Sequence, residues 1–285
     1  MPIPPYLPPI QYVQTAPPQS RQSHTPTGDI RTLPHFHSRY LKTDRDVLIY
    51  LPPGYQTDRG RRYPVLYLQD GQNVFDGATA FLSGQEWRVD ETAETLIHSG
   101  QIEPVIVVAI YNAGKERIDE YTPSADSSVH QGGKARLYGK MLVHELKPLM
   151  DAQYRTLPDA AHTGVGGSSL GGPLSLYLGL TYPKVFGRLA VLSPSLWWNH
   201  QDIIHRYEKL RHKLPLRIWL DTGTNEGRNP ERVTADARRF HDVLRQKGWR
   251  DGSDLAYLEA EGAAHNEHAW AERMDKAPLF LYPAS

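Results

Sequence analysis

The sequence predicts an α/β fold, the α/β-hydrolase arrangement of a mostly parallel central sheet flanked by helices, with antiparallel strands at its N-terminal edge. Two patterns carry this. Short β-branched or apolar runs, such as residues 104–110 (PVIVVAI), alternate with segments of helical period, such as residues 134–154. A glycine-rich turn at residues 166–172 also joins an apolar strand to an apolar helix. Alternating strands and helices give a parallel sheet covered on both faces.

Taken in order, residues 30–41 and 45–51 read as two strands joined by a turn at Thr43-Asp44, and Pro52-Pro53-Gly54 closes the second. Residues 64–68 and 104–110 are buried strands, because their apolar runs leave no polar face. Residues 87–98 and 134–154 have helical spacing; in the second, Leu137, Met141, Leu142, Leu146 and Met150 share one side. A strand end at 163–167, a helix at 170–180, strands at 189–192, 216–220 and 255–258, and a helix at 231–247 complete the pattern. Residues 1–27 differ. Eight prolines there, among Gln, Ser and Thr, remove donors and fix φ, so an extended arm precedes a single catalytic domain, residues 28–285. Its apolar anchors Tyr6, Leu7, Ile10, Tyr12 and Val13 suit packing on a neighbouring subunit or near the active site.

Composition excludes several function classes. The chain has 285 residues, with 32 Lys+Arg against 32 Asp+Glu, so no global field draws nucleic acid or an anionic membrane. No apolar run approaches the length of a spanning helix. With no cysteine, disulfides, Cys-ligated metals and thiol nucleophiles are absent. The start, MPIPPYLPPIQYVQ, lacks the basic and apolar regions of a secretory signal, so a cytoplasmic location is expected unless a leader has been lost.

The chemical centre is Thr163–Gly172, which contains G-x-S-x-G as Gly167-Ser168-Ser169-Leu170-Gly171. Between strand and helix, this pattern is a nucleophile elbow. A tight turn projects the Ser169 hydroxyl into the cleft, beside N–H groups that favour an oxyanion. A serine nucleophile needs a base and an orienting acid, in the chain order Ser, Asp/Glu, His. His265 follows the strand at 255–258 on a small-residue loop and is the candidate base; His268 reads as a helix-start or neighbouring residue. Two carboxylates follow the strand at 216–220. Asp221 stands at its end and Glu226 on the loop beyond, and spacing leaves both open as the acid.

These segments together resemble the putative-esterase family of α/β-hydrolases, which includes enterochelin, feruloyl and acetylxylan esterases and mycolyltransferases. The resemblance runs from about Arg45 to the C-terminus. It rests on PVLYLQDGQNVFD (64–76), IYNAGKERIDEYTPS (110–124), GGSSLGG (166–172), LSPSLWW (192–198), DTGTNEG (221–227) and EGAAHNEHAW (261–270). It implies Ser169 as nucleophile, His265 as base and Glu226 as acid. It also implies an oxyanion hole from the backbone N–H groups of Leu170 and of a residue near Gln72, in a loop that departs from the His-Gly pair of many α/β-hydrolases.

For substrate binding, Trp197 and Trp198 follow a strand end, and either could wall the cleft or pack in the core. Arg117 follows the 104–110 strand and could bind an acidic or phenolic group, or pair with Glu116, Asp119 or Glu120. The expected activity is hydrolysis of a small-molecule carboxylic ester through an acyl-enzyme and without cofactor, and the resemblance points to esters of aromatic or hydroxylated acids. A homo-oligomer is compatible with this. The rivals are an acyltransferase of mycolyltransferase type, a non-catalytic carbohydrate- or protein-binding relative, and metal-dependent hydrolysis using His35-x-His37 or His265-x-x-His268.

Overall fold

The computed structural model describes residues 24–284. Its first half runs β1 (Asp29–Phe36), β2 (Arg45–Leu51), β3 (Val65–Gln69), α1 (Val89–His98), β4 (Ile106–Ile110), α2 (Arg117–Tyr121), β5 (Ala125–Asp126), β6 (Gln131–Gly132), α3 (Ala135–Met141) and α4 (Lys147–Gln153). The second half runs β7 (Thr163–Ser168), α5 (Gly171–Thr181), β8 (Arg188–Leu192), α6 (Trp198–Glu208), β9 (Arg217–Gly223), α7 (Pro230–Gln246), β10 (Leu255–Ala260), α8 (Glu267–Ala271) and α9 (Lys276–Leu281).

Eight strands form one sheet in the order β1-β2-β4-β3-β7-β8-β9-β10. The β1–β2 and β2–β4 pairings are antiparallel, and every pairing from β4 to β10 is parallel. The architecture is that of the α/β-hydrolases, with the antiparallel strands at the expected edge. Period-two alternation sorts the strands between two apolar layers. Val65 and Tyr67 of β3 and Ile106, Val108 and Ile110 of β4 enter one core cluster, with α3, α5 and α7. Leu66, Leu68, Val107 and Ala109 enter the other, with α1 and α9. Each fully buried aliphatic side chain contributes roughly 1.5–3 kcal/mol. Among the described residues no helix is long and apolar enough to cross a membrane.

Two elements depart from the periodic reading. The first strand stops at Phe36, not at residue 41. Its register shifts between Leu33 and Phe36, and the chain then turns, with Ser38 and Arg39 bonded to Glu145 of the helical segment opposite. The helix expected over 134–154 is divided by a π-helical turn, Leu142–Leu146, between α3 and α4. Pro148 is the physical cause, since it has no N–H to give and its ring crowds the carbonyl one turn back, so the turn widens.

Residues 1–23 of the expected arm lie outside the described residues. Its last residues are tied to the domain. His24 Nδ1 is 2.5 Å from Asp76, the Thr25 hydroxyl donates to Glu86 at 2.8 Å, and the Thr27 N–H donates to Asp90 at 2.6 Å.

Candidate active site

The carboxyl ends of the parallel strands carry the candidate residues, as expected of an open α/β sheet. At the end of β7 the chain turns sharply into α5. Ser169 has φ 55°, left-handed for a residue with a side chain, which costs roughly 1–2 kcal/mol. The turn is held by its backbone: the Ser169 N–H donates to the Leu192 carbonyl at 3.1 Å, and the Ser169 carbonyl accepts from Gly172 at 3.1 Å and Ser195 at 2.9 Å. Gly172 cannot be larger, since a Cβ there would lie 2.5 Å from that of Pro194. Of the serine pair, Ser168 is buried in the strand, whereas Ser169 is partly open, its Oγ 3.3 Å from Ser195 Oγ.

His265 stands after β10, with about a third of its side chain exposed, and its Nδ1 lies 2.8 Å from Glu226 Oε2. Gly223 lets the two loops meet, because a Cβ there would come within 2.2 Å of the Ala263 carbonyl oxygen. Glu226 is buried. Its Oε1 accepts from the Gly223 N–H at 2.6 Å and from the Ser193 hydroxyl. The direction of that hydroxyl follows from its neighbours. Trp270 Nε1 at 2.9 Å and Arg273 Nη2 at 2.6 Å both donate to Ser193 Oγ, so its single proton is left for Glu226. With Nδ1 donating in its bond to Glu226, Nε2 is left as the ring's acceptor.

Asp221 is placed differently. It is fully buried and bonded to Arg273, to Trp219 Nε1 and to the Ser193 N–H. Burial pushes its carboxyl above the ordinary range, against the pull of Arg273. Of the two carboxylates that spacing left open, only Glu226 is bonded to His265.

The expected oxyanion residues follow the ends of two adjacent strands, Gln72 after β3 and Leu170 after β7. Leu170 precedes α5, whose first N–H groups have no partner within the helix. Gln72 is in a 3₁₀ turn, Gly71–Asn73, entered through a left-handed Asp70. Asp70 accounts for Arg117. The guanidinium forks onto it, Nε and Nη2 each 2.7 Å from a carboxylate oxygen. The partners expected for Arg117 are engaged elsewhere: Glu120 with buried Arg45, Glu116 and Asp119 with Lys134. Arg117 therefore braces the turn that carries Gln72, and only a quarter of its side chain is exposed for a ligand. The neighbouring Asn73 ties three segments. Its side chain accepts from the Phe81 N–H at 2.8 Å and donates to Glu267 at 3.2 Å, and its carbonyl accepts from the Trp87 N–H. Glu267 is pushed above the ordinary carboxylate range by burial and by nearby Asp70.

The two tryptophans separate. Trp198 is buried, with its indole N–H donating to the Ser124 carbonyl at 2.9 Å. Trp197 is 47 % exposed, and the other exposed large apolar residues among the described residues are Phe81 at 60 % and Leu82 at 39 %. All three are on loops that leave the carboxyl ends of β3 and β8. Of the histidines weighed as metal ligands, His37 pairs with Asp44, His35 lies by Asp46, and His268 turns to Glu272. Sequence reasoning missed Ser193, Asn73, Glu267, Arg273 and Phe81. For Ser193 one signal existed, its place in the Leu-Ser-Pro-Ser run after β8; Arg273 sits on an ordinary charged stretch.

The geometry is that of an α/β-hydrolase, and comparison with known proteins gives the family. The model for the family described as "Putative esterase" matches residues 38–281. The chain belongs to that family, and it is a carboxylic ester hydrolase. It is 28 % identical over 257 residues to the uncharacterized protein YbbA of Bacillus subtilis (strain 168), covering 86 % of this chain and 95 % of that one. It is 26 % identical over 227 residues to the ferri-bacillibactin esterase BesA of the same organism, covering 71 % and 73 %. The crystal structure of a BES protein from Bacillus cereus superposes with a TM-score of 0.70 at 20 % identity, covering 93 % of this chain and 99 % of that one.

Proposed function

We propose that the protein hydrolyses esters through an acyl-enzyme, with Ser169 as nucleophile, His265 as general base and Glu226 as the orienting acid. Ser169 Oγ attacks the ester carbonyl carbon as its proton passes to His265 Nε2. The oxyanion is held by the N–H groups of Leu170 and Gln72. Collapse breaks the carbon–oxygen bond, and the imidazolium returns the proton to the leaving alcohol. Water then attacks the acyl-enzyme, giving its proton to the same nitrogen, and Ser169 is regenerated with release of the acid. The observation that carries this reading is the 2.8 Å bond between Glu226 and His265 Nδ1, which fixes the ring's orientation and leaves Nε2 for a proton, together with a serine held left-handed at a strand-to-helix turn.

The acyl group in this reading is aromatic or hydroxylated, of feruloyl or catecholate type. The exposed Trp197 and Phe81 supply faces for ring stacking, and the exposed Leu82 adds apolar surface. A relative named as a siderophore esterase supports an ester of siderophore type. Residues 28–285 form the catalytic domain in this proposal, and residues 1–27 an arm. The test is turnover of p-nitrophenyl acetate and of feruloyl and catecholate esters by wild type and Ser169→Ala. The variant should retain only the small residual rate that binding and the oxyanion hole provide. Wild-type-like turnover by Ser169→Ala would refute the nucleophile. A preference for acetyl over aromatic acyl groups would refute the substrate class.

A further inference from the structure

The acid end of the site holds more charge than a triad uses. Asp221, Glu226 and Arg273 are 0 %, 1 % and 4 % exposed. Asp221 receives four N–H donors: Arg273 Nε at 3.1 Å and Nη2 at 3.0 Å, Ser193 N at 3.2 Å and Trp219 Nε1 at 2.8 Å. Those donors favour an ionised Asp221, although burial acts the other way. Arg273 Nη2 is also 3.6 Å from Glu226 Oε1 and bonds the Ser193 oxygen whose proton points at that carboxylate. Two carboxylates and one guanidinium leave one net negative charge, out of water, beside His265.

We propose that Arg273 is a positioning residue that sets the proton affinity of His265: it engages Asp221, directs the Ser193 proton to Glu226, and leaves one unit of negative charge to meet the imidazolium. This rests on the reading of His265 as the base. When His265 takes the serine proton the buried cluster becomes neutral, so the charge favours the transition state over the resting enzyme. Without Arg273, two uncompensated carboxylates would hold the proton on His265 and make it a poor base near neutral pH. Without the Asp221 charge, none would be left to support the imidazolium. Other charges lie near the ring, on α8 and on the turn after β3. Glu267 interacts with it, and beyond Glu267 lies the paired Asp70–Arg117. His268 is directed to Glu272. These groups are unchanged in the variants below.

The test is an NMR titration of the His265 ring in the full chain, assigned by its loss in His265→Gln, beside the acid limb of kcat/KM. Removing one nearby charge should move the midpoint by on the order of one pH unit. Arg273→Met should raise it and Asp221→Asn should lower it. The double variant Arg273→Met/Asp221→Asn, which restores the net charge, should return it close to wild type. A midpoint that stays put in Asp221→Asn, or a double variant that keeps the Asp221→Asn shift, would overturn the proposal, because a merely structural Arg273 changes stability and not proton affinity. Should Arg273→Met fail to fold, Asp221→Asn and the double variant still decide. Failure of the base reading is distinguishable, since the wild-type kcat/KM limb would then not follow the His265 titration.

Discussion

In the proposed site, the acid–base half, built by the loops after β8, β9 and β10, and the proposed substrate half, built by the loop after β3 and by Trp197, use their surfaces in opposite ways. In the first half Ser193, Asp221, Glu226 and Arg273 are all buried, and each is bonded to another of the group. In the second, Phe81, Leu82 and Trp197 present apolar surface to solvent. Beside Trp197, residues Asn199, His200 and Gln201 run left-handed at φ 42°, 56° and 63°, a strained turn at the entry to α6. The difference separates duties. A preorganised polar cluster suits chemistry that must not reorganise during reaction. Exposed aromatic faces suit a ligand that brings its own surface.

The largest effect that could break this comparison is expected from the acid. Glu226→Gln keeps the shape but removes the charge opposite the imidazolium. It should lower kcat by up to about 10⁴-fold with little change in KM. Steady-state kinetics on one ester checks this, and a change confined to KM would place Glu226 in the substrate half. Next is the contrast between the tryptophans. Trp198→Ala should cost roughly 3–5 kcal/mol of stability by opening a cavity, read by denaturant unfolding. Trp197→Ala should leave stability near wild type and raise KM for aromatic acyl esters roughly tenfold, with acetyl esters little affected. Equal loss on both ester classes would remove Trp197 from the substrate half.

The last effect, on the pH dependence of stability and not on turnover, concerns the segment that carries Phe81 and Leu82, which is tied to residues 24–27. Burial, with the neighbouring Glu91 acting in the same direction, pushes the Asp90 carboxyl from its ordinary value of 3.8 up to about 8. A raised carboxylate binds its proton more tightly in the folded chain. Its contribution to stability is therefore complete in acid and is lost as pH rises from about 4 to about 8. Melting temperature should fall over that range in wild type. Asp90→Asn should flatten the fall while leaving the acid-side value close to wild type. An identical slope in the variant would show that Asp90 titrates normally.

Legibility in the sequence followed the same division between local and non-local information. The strand at 45–51 is read to the residue, because apolar alternation ends at a Pro-Pro-Gly turn. The elbow is legible because its strand, glycines and helix are contiguous. The split helix was missed because periodicity reports which face is apolar and is blind to a widened turn. The cluster around Glu226 could not be read, since Ser193 and Arg273 are 80 residues apart and meet only when β8 and the segment after α8 close together. Trp197 and Trp198 are neighbours with the same chemistry. Trp198 joins the core with its indole N–H on the Ser124 carbonyl, whereas Trp197 stays exposed, and neither outcome is written in local sequence.

The central claim is that one serine among three in close reach is the nucleophile. Ser168 is buried in β7, Ser195 Oγ stands 3.3 Å from Ser169 Oγ, and only Ser169 occupies the left-handed elbow. Labelling with a fluorophosphonate, followed by peptide mapping, reads this directly. The account predicts a single adduct on Ser169, absent in Ser169→Ala and formed far more slowly in His265→Gln. An adduct on Ser168 or Ser195 in wild type, or undiminished labelling in Ser169→Ala, would contradict it.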